Sequence, residues 1–180
     1  SLTIAGTCTN GDTVLLTDLT TNITDSPVTC SGGVFSFTVS KGTDGTYGFA
    51  VKQQDSLLQD SASVQVDWVR DTSAPIAPIV LNPVSPYTSS NSSLVLTGSC
   101  ESNSTVYLTG DAATNTLCTS SAFSITVTKS ADANYSFSLS QTDRAGNSSL
   151  GVGFTWILDS VPPSAPTITT PSVSPFYSNG

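Results

Sequence analysis

The chain has 180 residues, 37% of them hydrophobic and 10% charged, with 5 Lys+Arg against 13 Asp+Glu, no His and a formal net charge of −8. Without His there is no Ser/His/Asp or Cys/His catalytic machinery and no imidazole metal ligand, and so few, scattered basic residues argue against nucleic acid and anionic membrane surfaces as partners. Ser and Thr, about a third of the residues, fill the place of the missing charge, a balance found in secreted and cell-surface β proteins.

Taken in chain order, the apolar residues recur with a period of two, the signature of strands, and not of 3.6. Leu2, Ile4, Gly6 and Cys8 alternate with Thr3, Ala5 and Thr7 up to the turn signal Asn10-Gly11, and Val14 and Leu16 follow. Phe35, Phe37 and Val39 form the next run, then Tyr47, Phe49 and Val51 after Asp44-Gly45, then Val64, Val66 and Trp68. A Pro-rich stretch leads to Ile79-Val80-Leu81. Beyond it come Leu94/Leu96, Val106/Leu108, Phe123/Ile125/Val127, Tyr135/Phe137/Leu139 and Val152/Phe154/Trp156. No helix is predicted, and no run approaches the ~18 apolar residues of a membrane span. The fold class is therefore all-β, in small antiparallel sandwiches of six or seven short strands, apolar inside and Ser/Thr outside.

The second half repeats the first. A shift of 88 residues superposes Phe35 on Phe123, Tyr47 on Tyr135, Asp55 on Asp143, Trp68 on Trp156, Asp71 on Asp159, Pro75 on Pro163 and Pro78 on Pro166. Nearer the start the shift is 92, placing Cys8 on Cys100, and a loop between the two cysteines of each unit absorbs the difference. The expected domains are 1–73 and 74–161, followed by 162–180 as a linker and the first strand of a further domain. Cys8 and Cys30 in one unit, and Cys100 and Cys118 in the other, are even in number and evenly placed. They read as one disulfide per domain and so as an oxidising, extracellular or cell-surface location. With neither a Met nor a signal-peptide pattern, the sequence reads as a processed chain or an excised segment.

Each unit closes on a junction motif: Trp68-Val-Arg-Asp71-Thr-Ser-Ala-Pro75-Ile-Ala-Pro78 and Trp156-Ile-Leu-Asp159-Ser-Val-Pro-Pro163-Ser-Ala-Pro166. Asp143-Arg-Ala-Gly-Asn147-Ser-Ser precedes the second. As a set these motifs resemble the tandem bacterial immunoglobulin-like repeats of large secreted adhesins and surface fibres. The first unit departs from the pattern, with Asp55-Ser-Leu-Leu-Gln-Asp60 in place of the Asp-x-Ala-Gly-Asn turn, and the paired cysteines are an addition to the commoner cysteine-free repeats. The resemblance implies two immunoglobulin-like sandwiches on a string.

The phase of the repeat is informative. The strand near Ile79-Val80-Leu81 belongs to the second domain, and its counterpart for the first would precede Ser1. Residues 162–180 repeat the segment from Ala74 to about Asn91, with Val173-Ser-Pro175-Phe176 echoing Val84-Ser-Pro86-Tyr87. Two explanations fit: a window on a longer array, or a tail that completes the first domain of another copy in a head-to-tail polymer. The tail residues expected to carry assembly are Pro163, Pro166, Ile168, Val173, Pro175 and Phe176.

Chemistry is sparse. Asp55, Asp71, Asp143, Asn147 and Asp159 lie at or near junctions and are candidate Ca²⁺ ligands; the competing reading is turn capping through Asx hydrogen bonds. No cofactor is otherwise required. Five glycosylation sequons occur, at Asn22, Asn91, Asn103, Asn134 and Asn147, in a chain so rich in Ser and Thr that chance alone supplies several. The single Glu, Glu101, has no counterpart in the first unit, and no carboxylate pair suggests hydrolysis, so no catalytic residue and no enzyme is predicted. The leading expectation is a structural segment of a secreted filament or adhesin stalk whose partners are adjacent copies of the repeat. The alternative is an adhesin module binding a glycan or protein ligand.

Overall fold

The computed structural model describes residues 1–25, 27–170, 175, 177 and 179. It divides into two compact units, Ser1–Ala74 with Ala145–Asn147, and Pro75–Arg144 with Ser148–Gly180. Among the described residues every regular element is a strand.

In the first unit the strands are β1 (Leu2–Thr7), β2 (Thr13–Asp18), β3 (Ile23–Thr24), β4 (Val28–Thr29), β5 (Val34–Val39), β6 (Gly45–Gln54) and β7 (Val64–Arg70). β1 and β5 pair antiparallel as a two-stranded sheet, and the facing sheet runs β3-β2-β6-β7, with β4 also on β2. Alternation dictates the core: Ile4, Phe37 and Val39 point in from one sheet and Val14, Leu16 and Phe49 from the other.

The second unit contains β8 (Ile79–Asn82), β9 (Tyr87–Ser89), β10 (Ser93–Ser99), β11 (Thr105–Gly110), β12 (Thr114–Leu117), β13 (Ala122–Thr128), β14 (Ala133–Thr142) and β15 (Val152–Leu158). One sheet runs β13-β10-β8 and the other β12-β11-β14-β15-β9. Leu94, Leu96, Phe123, Ile125 and Val127 meet Val106, Leu108, Phe137, Leu139, Phe154, Trp156 and Leu158 in a larger core. β13 is buried at every second residue, so its Ser and Thr face water.

Each unit carries one disulfide, Cys8–Cys30 and Cys100–Cys118, with Cα atoms 6.0 and 5.9 Å apart. The loops they close are built alike. Gly11 N donates to Cys30 O and Cys30 N to Asp12 O; Asn103 N donates to Cys118 O and Cys118 N to Ser104 O. Gly11 has φ 93° and Asn103 φ 69°, so the two residue types that best tolerate the left-handed region hold the same turn position.

A lysine is stacked on an aromatic in both. Lys41 Nζ lies 4.9 Å from the Tyr47 ring centroid and pairs with the Asp18 carboxylate. Lys129 Nζ lies 4.9 Å from the Tyr135 ring and donates to the backbone carbonyl of Asp111. Tyr47 and Tyr135 pack in turn on Trp68 and Trp156, with ring centroids 5.9 and 5.6 Å apart.

The units differ in strand content. β8 lies along β10 and β9 runs parallel to β15, and neither has a counterpart in the first unit among the described residues. The phase of the repeat anticipates β8, while alternation finds neither β9 nor the short β3, β4 and β12. Alternation also places Val64 on the inner face of its strand; Val64 is 67% exposed, whereas its counterpart Val152 is half-buried.

Candidate functional site

The strongest candidate is the edge of the first unit where β8 and β9 have no equivalent. The second unit defines what that edge is built to hold. There, Gly98 pairs with Val80 and Ser99 with Ile79, Pro78 is fully buried, and Val80 and Tyr87 pack on the core. A Cβ at Gly98 would collide with the Ile79 carbonyl and come within 2.6 Å of the Phe123 ring, so the approach of β8 requires glycine at that position.

Gln141 locks the arrangement. It is fully buried; its Oε1 accepts from Glu101 N at 2.9 Å and its Nε2 donates to Ile76 O at 2.6 Å, on the segment leading into β8. Both ends of the amide are satisfied, as a buried polar side chain requires. The indole Nε1 of Trp156 donates to Ser89 Oγ at 3.1 Å, tying β9 to its neighbour β15 in the same sheet.

The first unit keeps the frame without these strands. Gly6 stands at the Gly98 position, where a Cβ would meet the Phe35 ring at 2.9 Å. Gln53 stands at the Gln141 position. Its backbone N donates to Ser61 Oγ at 3.0 Å, as Gln141 N does to Ser149 Oγ at 2.9 Å, and its Oε1 accepts from Thr9 N at 3.0 Å. Only the amide donor is turned elsewhere: Nε2 goes to Thr9 Oγ1 at 3.3 Å. Beside it lies an open groove of about 560 Å³ lined by Ile4, Gly6, Val14, Phe35, Val64 and Val66, among others. Trp68 is half-buried where Trp156 is fully buried, and no acceptor for its indole N–H is found among the described residues.

An unpaired strand edge beside an exposed apolar trough is a template for an added strand. The paired Gln53 and Gln141, both reached by the shift of 88, are the residues that sequence reasoning missed. A glutamine inside a Ser/Thr-rich strand reads as solvent-facing, and its recurrence in the repeat register is the signal that could have found it.

The other expected site residues are placed as follows. Asp55 Oδ1 accepts from Leu57 N and Gln59 N, Asp71 Oδ1 from Ser73 N, and Asp159 Oδ1 from Val161 N. These are Asx-type turn caps. Asp143 and Asn147 also have interaction partners. No group of three or more His, Cys, Asp or Glu that could hold a metal is found among the described residues. Pro163, Pro166 and Ile168 lie in exposed, non-strand chain, and Pro175 in an exposed bend; Val173 and Phe176 lie outside the described residues.

Three carboxylates are held below their usual range. The Lys41 ammonium, then the backbone N–H groups of Thr20 and Thr21, favour ionised Asp18 against the opposing pull of burial. Thr72 does the same for Asp44 through its backbone N–H and hydroxyl, aided by Arg70. Lys52, 2.5 Å away, does so for Asp60. Each is ionised and committed to a structural partner.

No family model and no curated protein matches the sequence. Among solved structures, a biofilm associated protein, BSP domain, is similar to this chain at 19% identity with a TM-score of 0.35. The similarity covers 89% of this chain and 28% of that one, so the chain spans about 28% of the length of that neighbour.

Proposed function

We propose that the chain is a structural segment or subunit of a secreted cell-surface filament or adhesin stalk, built from end-to-end immunoglobulin-like domains, in which the strand following one domain completes the next. The observation that carries this reading is the contrast between the units. One has its β8 edge filled by the segment preceding it, the other has the same edge open, and the stretch after the second unit repeats the filling segment. The product of such an arrangement is length and stiffness: disulfide-stapled sandwiches resist unfolding, Pro-rich joins limit bending, and a Ser/Thr coat keeps the surface soluble at low charge. The two disulfides support an extracellular setting.

Immunogold labelling of the producing cells with antibody to this chain tests the reading. Label distributed along extended surface structures is expected. Label confined to the cytoplasm would overturn it, as would isolated foci at filament tips, which belong to an adhesive module.

A further inference from the structure

We propose that the groove of the first unit takes Ser164–Thr170 of a second copy of this chain as an added strand along β1. The proposal rests on the reading of the chain as a filament component and names the partner, the segment and the register of that contact.

The register follows from the internal repeat. In the second unit Ile79 faces Ser99, Val80 faces Gly98 and Asn82 faces Thr97 across the bulged β8–β10 ladder. The 92-residue shift carries Ser99, Gly98 and Thr97 onto Thr7, Gly6 and Ala5, and the 88-residue shift carries Ile79, Val80 and Asn82 onto Thr167, Ile168 and Thr170. Thr167 therefore pairs with Thr7, Ile168 with Gly6 and Thr170 with Ala5, in antiparallel sense. Pro166 takes the place of buried Pro78, and Ile168 that of Val80, which packs on the core of its unit. Gly6 supplies the close approach that Gly98 supplies to the Ile79 carbonyl.

Gln53 is the latch. Ser164 corresponds to Ile76, whose carbonyl accepts from Gln141 Nε2. On docking, Gln53 Nε2 leaves Thr9 Oγ1, at 3.3 Å, for the Ser164 carbonyl, while its Oε1 stays on Thr9 N. One donor is exchanged for another acceptor, so the amide is never left unpaired in either state.

The occupant is favoured on two further grounds. Ile168 is 78% exposed and Ser164–Thr170 lies in no strand, so the segment gives up no ladder of its own to dock. From Ser160 to Gly180 the sequence contains no Lys, Arg, Asp or Glu, so the segment meets a molecule of net charge −8 without repulsion.

The test uses the 180-residue chain in sedimentation equilibrium. The expected result is a mass rising with concentration in steps of one copy. Ile168→Asp, a change at an exposed position, should weaken association by roughly 10- to 100-fold, the worth of one buried Ile side chain, without altering the melting of either unit at concentrations where the chain is a single copy. A synthetic peptide of residues 162–170 in excess should restore the single-copy mass. For the register, a Thr7→Cys chain mixed with a Thr167→Cys chain should form a disulfide-linked heterodimer, since all four native cysteines are already paired. A single-copy mass up to about 1 mM would overturn the proposal, and association unaffected by Ile168→Asp would do so too. Assembly without the Thr7–Thr167 cross-link would overturn the register. A monomeric chain whose antibody still labels surface filaments would sink the second-copy contact and leave the filament reading standing.

Discussion

The two units are nearly the same sequence experiment run with and without two strands. In the second, Trp156, Leu139 and Leu96 are fully buried and the inner faces close around them. In the first, the core ends at Phe49 and Ile4, Trp68 and Val66 stay half-buried, and Val64 is left in water. The staple, the turn behind it, the lysine on its tyrosine and the Gln–Ser frame are common to both. What distinguishes a closed sandwich from an open one is thus a short Pro-led segment and the three residues of β9. Most of the repeat is scaffold.

The comparison can be broken most forcefully at the two tryptophans. Trp156→Ala removes a fully buried ring and should destabilise the second unit by about 3–5 kcal/mol. Trp68→Ala removes a half-buried one and should cost the first unit only about 1–2 kcal/mol. Denaturant unfolding followed by circular dichroism measures both, with the remaining Trp reporting on the untouched unit. In a chain dilute enough to be a single copy, equal losses would mean that the first unit closes without an added strand.

A smaller effect is expected at the paired glycines. Gly98→Ala drives a methyl into the Ile79 carbonyl and the buried Phe123 ring, and should cost about 1–3 kcal/mol by forcing β8 away. Gly6→Ala meets only the edge of Phe35, at 2.9 and 3.0 Å, which can shift, so the isolated unit should tolerate it better. If melting of the two variants shows the reverse order, β8 does not approach as closely as described.

The smallest difference is one of acid sensitivity. Asp18 is held below its usual value of 3.8 by Lys41, so the pair stabilises the first unit above the unfolded carboxyl's range. That contribution disappears as pH falls through the lower folded value. Lys129 rests on a backbone carbonyl, which does not titrate, so this interaction gives the second unit no such dependence. Melting the chain between pH 5 and pH 2 should therefore show the first unit losing ground to the second by about 1 kcal/mol. Lys41→Met should narrow that divergence and leave the part carried by Asp44 and Asp60, which Thr72 with Arg70 and Lys52 hold low in the same unit.

The strands that alternate cleanly, β1, β2, β5–β7, β10, β11 and β13–β15, can be read from the sequence because burial on one face forces a period of two. β8 becomes visible through the phase of the repeat. β9 does not, because Tyr87-Thr88-Ser89 is too short for alternation and its pairing with β15 lies some 70 residues away. The open edge can be inferred as a missing strand, but not its chemistry. The amide exchange of Gln53 depends on Thr9, 44 residues distant, and the Asp18–Lys41 pair spans 23. Such contacts are set by the packed fold, and single-residue propensity carries no trace of them.

The disulfides have a consequence under mechanical load. A chain pulled from its ends can lengthen by at most about 3.3–3.6 Å per residue released. The loops between Cys8 and Cys30 and between Cys100 and Cys118, separations of 22 and 18, are short-circuited by covalent bonds. Roughly 75 and 60 Å of contour length are thereby withheld even if every hydrogen bond in the units is torn. The locked stretch in the first unit begins one residue beyond β1, so tension carried through an added strand and β1 reaches a covalent stop almost at once. A tether made of such units would pay out roughly 240 Å of chain between Cys30 and Cys100 under force, yet keep both stapled loops in reserve until a reductant cuts the links.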